Sequence, residues 1–167
     1  MIDISQKLKK AGADLILICT NTMHKVAAVI QENIKIPLLH IVDTAAEAVK
    51  SKNMDKVGLL GTKFTMEQDF YKKRLYEKHD IKVIIPEPEA RGIIHNIIYK
   101  ELISGIIKKE SREKFKHIIK NLQAQKAEGV ILGCTEIPLL IKEEHSPLPV
   151  FDTTDLHVQK AVEFALE

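Results

Sequence analysis

The sequence has 167 residues, 45% of them hydrophobic, enough to build a core and to exclude a disordered chain. Its charged residues are 25 basic against 23 acidic, a formal +2 with no long run of one sign, so no polyanion-binding footprint is present and nucleic acid is not an expected partner. No apolar stretch approaches the roughly 18 residues needed to span a bilayer, and Met1-Ile2-Asp3-Ile4-Ser5 lacks a charged leader followed by an apolar run; no membrane is expected and the chain reads as cytoplasmic.

In chain order, short apolar runs alternate with longer amphipathic stretches, the rhythm of an α/β protein with parallel sheets. An opening helix over 2–11 carries Ile2, Ile4, Leu8 and Ala11. Strands are expected at Leu15 to Cys19, Leu38 to Ile41, Val57 to Leu60, Lys82 to Ile85, Gly129 to Leu132 and Pro149 to Phe151. Further helices are expected near 23–33, 44–52, 65–78, 89–105, 111–127 and 153–166. Thr44-Ala-Ala-Glu47 and Thr65-Met-Glu-Gln68 have capping-box spacing and mark two helix starts. Two strands precede the run that begins at Val57, against four from there on, so the first half leaves a strand edge and a helix face uncovered and self-association is expected.

A weak internal repeat links the two halves. Asp14, an apolar strand and Thr20-Asn21-Thr22 lie on Glu128, an apolar strand and Cys134-Thr135-Glu136. After each come a helix, a proline-opened strand and Asp-Thr, at Asp43-Thr44 and Asp152-Thr153. Ligands in open parallel sheets sit outside the carboxyl ends of strands, so both polar clusters fall where a site belongs. Hydroxyls, an amide and helix-start N–H groups suit a small carboxylate, and a thiol beside them suits proton transfer at a carbon acid. The competing reading is structural: a strand-end cysteine as a small buried hydrophobe, Thr and Asn as helix caps.

Cys19 and Cys134, 115 positions apart, make no CxxC pattern and read as free thiols. His24, one turn after Thr20, either orients a site group or packs a helix, the second being commoner. Arg91 is placed near a helix start, where it reaches a substrate carboxylate or is solvated. Glu87 and Glu89 read as loop solvation, and no ligand set suits a metal. Gly58-Leu59-Leu60-Gly61-Thr62-Lys63 lacks the spacer of a phosphate-binding loop.

Gly12-Ala13-Asp14, Leu15 to His24, Val57 to Thr62, Thr65 to Tyr71 and Gly133-Cys134-Thr135-Glu136 together resemble the aspartate/glutamate racemase family. The Cys-Thr-Asn-Thr-Met-His form looks like its L-aspartate/glutamate-specific branch. The resemblance implies two pseudo-symmetric α/β domains, each a parallel sheet flanked by helices, with the site between them. The first domain, lacking an opening βαβ unit, would comprise 1–44 with about 153–167, and the second 45–152. It further implies a small acidic amino acid as substrate, no cofactor and no pyridoxal phosphate, a homodimer, and two groups acting on opposite faces of the α-carbon. Carried over by residue, these are Cys134 and Thr20, with Asn21, Thr22, Thr62, Thr65, Thr135 and Glu136 holding the substrate. Threonine stands where the common pattern has cysteine, and Thr20 is six residues after Asp14 as Cys134 is after Glu128. Strand alternation then turns Cys19 away from the cleft. An alcohol is too weak an acid to replace a thiol unaided, so the two faces are unequal. The alternatives are a catalytically silent binding or scaffold protein, and a hydantoin racemase or maleate isomerase type of activity.

Overall fold

The alternation of apolar and amphipathic segments is realised as six parallel strands in two sheets, in a computed structural model that describes residues 1–166. In the first half α1 (Ile2–Lys10) precedes β1 (Ile16–Leu17), and a 3-10 turn over Thr22–Val26 runs into α2 (Ala27–Glu32) and β2 (Leu38–Leu39). β1 and β2 pair through Ile16 with Leu38 and Leu17 with Leu39. Ile16, Ile18, Ala27, Ile30 and Ile34 form a small core of their own under this sheet.

The second sheet contains β3 (Lys56–Gly61), β4 (Lys82–Ile84), β5 (Gly129–Gly133) and β6 (Val150–Asp152), in the order β4-β3-β5-β6. Its central strands are buried from Val57 to Gly61 and from Gly129 to Gly133, which is why they read as continuous apolar runs. One face packs on α6 (Pro88–Lys100) and α7 (Lys109–Ala124), through Ile94, Ile98, Phe115, Ile119 and Leu122. The other packs on α3 (Ile41–Ser51) and α5 (Asp69–His79), through Val42, Ala46, Val49, Tyr71 and Leu75. The chain closes with α8 (Ile137–Leu140) and α9 (Thr153–Leu166), the latter lying along α3. Glu128, the acid of the repeat, caps the edge of this arrangement: its Oε2 accepts from the N–H of Asp55 at 2.9 Å and of Lys56 at 3.0 Å, pinning the start of β3 beside β5.

Neither capping box starts a helix. α3 begins at Ile41, where the His40 ring accepts from the Val42 N–H, while the Thr44 hydroxyl turns inward to the Ile41 carbonyl. The 65–78 helix is two helices, α4 (Lys63–Glu67) and α5, broken at the extended Gln68; the cap is Thr62, whose hydroxyl accepts from Thr65 N–H. The expected strand over Leu38 to Ile41 is correspondingly short, since His40 caps the next helix and Ile41 already belongs to it.

Gly61 and Gly133 face each other across the register at the carboxyl ends of β3 and β5. A Cβ on Gly61 would lie 2.9 Å from the Gly133 carbonyl and 3.1 Å from Thr65 Cβ. One on Gly133 would meet Leu59, the Leu60 carbonyl and Thr65 Cγ2, each at 3.1 Å. The strand ends are therefore bare so that the first turn of α4 can seat on them. Gly61→Ala and Gly133→Ala should each lower stability by about 1–3 kcal/mol, the usual range for overpacking, as measured by urea unfolding. A loss within experimental error of zero would show that the turn relaxes freely.

Candidate active site

The carboxyl ends of β1, β3 and β5 open on one cleft of about 340 Å³, lined by Cys19, Thr20, Asn21, Thr22, Thr62, Gly133, Cys134, Thr135 and Glu136, with Ile98, Tyr99 and Ile103 as an apolar wall. The two polar clusters of the repeat thus meet across a single space. Of the candidate residues, Thr20, Asn21, Thr22, Thr62, Cys134, Thr135 and Glu136 all border it.

Thr65 does not. Its side chain is fully buried, and its hydroxyl lies 3.3 Å from Thr22 Oγ1 and 3.3 Å from Thr62 Oγ1. It is the middle of a hydroxyl chain that joins the first half to the second beneath the cleft floor. A second link runs through Asn21. Thr153 Oγ1 donates to the Leu132 carbonyl at 2.8 Å, so toward Asn21 it can only accept, from Nδ2 at 3.1 Å. That fixes the amide orientation and leaves Asn21 Oδ1 buried without a partner. The Asp152-Thr153 half of the repeat was the sequence signal for this link; nothing in the sequence marked Ile98, Tyr99 and Ile103 as a wall.

Cys19 departs from expectation. β1 ends at Leu17, and the Thr20 N–H bonds back to the Ile18 carbonyl at 2.8 Å, a three-residue turn centred on Cys19. The alternation of a strand no longer applies there, and Cys19 borders the cleft as Thr20 does, exposed rather than packed as a small hydrophobe. Arg91 is absent from the cleft: its Nε donates to Glu67 at 2.9 Å and its Nη1 to the Pro86 carbonyl at 2.8 Å. Glu87 and Glu89 are both exposed as expected, but only Glu87 lies outside a helix, as the cap of α6, while Glu89 is in its first turn.

The chemistry concentrates at Cys134. Its Sγ donates to Glu136 Oε2 at 2.9 Å. Burial pushes the thiol up to about 12, and the neighbouring carboxylate pushes the same way, so it carries its proton at neutral pH. Burial also pushes the Glu136 carboxyl up, but hydrogen bonds from Cys134, Thr135 and its own backbone outweigh that and hold it below the usual range. The resting pair is a thiol on a carboxylate. The hydroxyls of Thr20 and Thr135 are neutral donors, and of Thr22 and Thr62 one spends its proton on Thr65, which has only one to give. Among the described residues, no group of three or more His, Cys, Asp and Glu side chains could hold a metal ion, and no helix is long and apolar enough to cross a membrane.

Behind the cleft lie three buried histidines, His24, His40 and His157, with ring centroids 4.5 Å apart for His24–His40 and 5.8 Å for His24–His157. Burial lowers His24 to about 4 and His40 to about 3, each below an ordinary 6.5; burial lowers His157 too. The unfolded chain therefore binds more protons than the native one between about pH 3 and 6.5, and stability falls as pH drops. A tenfold weakening of proton binding on folding costs about 1.4 kcal/mol once the unfolded ring is charged. Full stability should therefore hold above pH 6.5, and several kcal/mol should be lost by pH 4. Urea midpoints across pH 4–8 check this; a flat profile would mean that the rings charge in place.

The arrangement has counterparts among known proteins. The sequence profile described as Asp/Glu/Hydantoin racemase matches residues 1–161. A glutamate racemase of Hydrogenobaculum is 32% identical over 140 residues, covering 83% of this chain and 52% of its own length, so the chain spans about half of that curated relative. A Yersinia pestis structure described as a candidate Asp/Glu racemase superposes with a TM-score of 0.95 at 49% identity, over 99% of this chain and 72% of the other. An aspartate racemase homologue of Pyrococcus horikoshii gives 0.91 at 40% identity, over 99% and 73%.

Proposed function

The chain belongs to the Asp/Glu/hydantoin racemase family, and on that footing we propose that it is an amino-acid racemase acting on aspartate or glutamate by α-proton abstraction and return, without a cofactor. The observation that carries the reading is the Cys134–Glu136 pair, in one cleft with the Thr20–Thr22 loop. In this reading residues 1–44 with about 153–167 and residues 45–152 are the two pseudo-symmetric halves that supply its two sides.

The substrate ammonium goes beside Glu136, and the α-carboxylate to the hydroxyl of Thr135 and to whichever of Thr22 and Thr62 does not donate to Thr65, with Asn21 in the same wall. These donors stabilise the charge that moves onto the carboxylate when the α-C–H bond breaks and its electron pair delocalises. Cys134, protonated at rest, returns a proton to the planar carbanion from its side. To work as the base it first passes its proton to Glu136, the acceptor it already faces. Thr20 serves the other face, delivering a proton or holding water, and cannot match a thiol as a base. The two directions are therefore unequal.

Incubating L-aspartate and L-glutamate in deuterium oxide with NMR detection tests the reading: loss of the α-proton signal supports it, while an unchanged spectrum at high protein concentration supports a silent binding protein. Cys134→Ser should reduce exchange on the order of 100-fold or more, Cys19→Ser should leave most of it, and Thr20→Cys should raise reaction of the D enantiomer relative to the L. Equal loss in both cysteine variants would make Cys19 the second acting thiol.

Self-association is part of the same proposal. Ile4, Leu8, Met23 and Val29 stand exposed on α1, α2 and the turn between β1 and α2, and Met23 and Val29 line an apolar groove with Ile2 of α1. A second copy burying about 800 Å² per partner there would form a standard interface. Light scattering coupled to size exclusion should give twice 18.9 kDa, and Leu8→Glu should shift it toward 18.9 kDa. A mass of 18.9 kDa for the unmodified chain at every concentration would refute it.

A further inference from the structure

His24 is bound on both ring nitrogens by main-chain groups. Nδ1 lies 2.8 Å from the Thr20 carbonyl, and Nε2 lies 3.1 Å from the Ile41 N–H. A carbonyl only accepts and an amide N–H only donates, so the proton sits on Nδ1 and Nε2 is bare. The neutral ring is thus a rigid strut from the tight turn that presents Thr20 to the first turn of α3. The ring is 3% exposed. His40 and His157 pack against it, each held in turn, by the Val42 N–H and the Leu39 carbonyl, and the charge of Arg74 is felt there.

Thr20 has few other restraints. Its N–H closes the three-residue turn, and the hydroxyl chain and the Asn21 amide hold the two residues that follow it. The Thr20 carbonyl is fixed by His24. We propose that His24 is a positioning residue for Thr20: by anchoring the Thr20 carbonyl to the start of α3 it sets where the Thr20 hydroxyl stands in the cleft, and so governs the step on that face and not the step at Cys134. This rests on the racemase reading for its kinetic test, and on geometry alone for its spectroscopic one.

Two amide side chains separate the two halves of the strut. An Asn amide nitrogen reaches the place of Nδ1 and keeps the donor to Thr20, whereas a Gln amide reaches the place of Nε2 and keeps the contact with Ile41. The initial exchange rates of the two enantiomers, taken as a ratio, report the balance of the faces. In His24→Gln and His24→Leu the ratio should shift by about fivefold or more, as for loss of one charge-neutral positioning bond, and His24→Asn should restore it to within about twofold of the unmodified protein. In a Thr20→Ala background His24→Gln should add no further change in the ratio, since its effect runs through Thr20. A proportional fall of both rates in all three variants would overturn the proposal and leave His24 as a packing residue.

If the unmodified protein exchanges neither enantiomer, the racemase reading fails and the amide spectrum decides the positioning claim instead. The N–H signals of Thr20, Asn21 and Thr22 should then move in His24→Gln and stay in His24→Asn, with signals from β3 and β5 as the folded reference. Signals that move equally in both variants, or in neither, would sink it.

Discussion

A row of three threonine hydroxyls holds the molecule's two halves in register. Thr65 enters between the bare carboxyl ends of β3 and β5, where only glycine at 61 and 133 leaves room, and its hydroxyl then bridges Thr62 on its own side to Thr22 on the other. Such a bond contributes little in water, on the order of 1 kcal/mol, but an unpaired hydroxyl in this buried position would cost more than that. Geometry is the larger consequence. Because the bridge is rigid and buried, the turn that carries Thr20 and the turn that carries Cys134 are placed on one cleft rather than on two independent surfaces.

That placement decides the electrostatics of the site. The cleft's polar side chains are neutral except for Glu136, and the carboxylate holds the proton of Cys134 in place instead of leaving a free thiolate. A preformed thiolate would need a cation beside it, and the cleft lining holds none.

The buried imidazoles extend the same design outward. Each of His24, His40 and His157 is kept neutral by burial and has a backbone partner, so they act as shaped connectors between the cleft loop, the end of β2, the start of α3 and α9. A hydrophobic side chain of that size would leave the Thr20 carbonyl and the Ile41 N–H unpaired in the interior. The acidic side of the α3 surface is handled separately, with Asp43 gripped by Arg74, Lys78 and His79.

Much of this was legible in the sequence, because it depends on local periodicity. Continuous apolar runs bounded by glycine and proline announce buried parallel strands, and the six strands occur where those runs lie. The repeat of acid, strand and polar cluster put Thr20 to Thr22 and Cys134 to Glu136 at strand ends, where chain direction alone makes a ligand site. Two local rules failed for physical reasons. Thr44 and Thr65 have the spacing of capping residues, but a buried hydroxyl was needed elsewhere, and the caps fell to His40 and Thr62. Strand parity was extended to Cys19, past the point where the ladder ends and a tight turn re-aims the chain. What only the tertiary structure decided is which partner each polar atom meets: that Thr65 is a bridge, that Asn21 is oriented by Thr153 from the far end of the chain, that His24 holds Thr20. These contacts join residues as many as 132 positions apart, and no pattern along a chain encodes the direction in which a single hydroxyl or imidazole will find its partner once the sheets have packed.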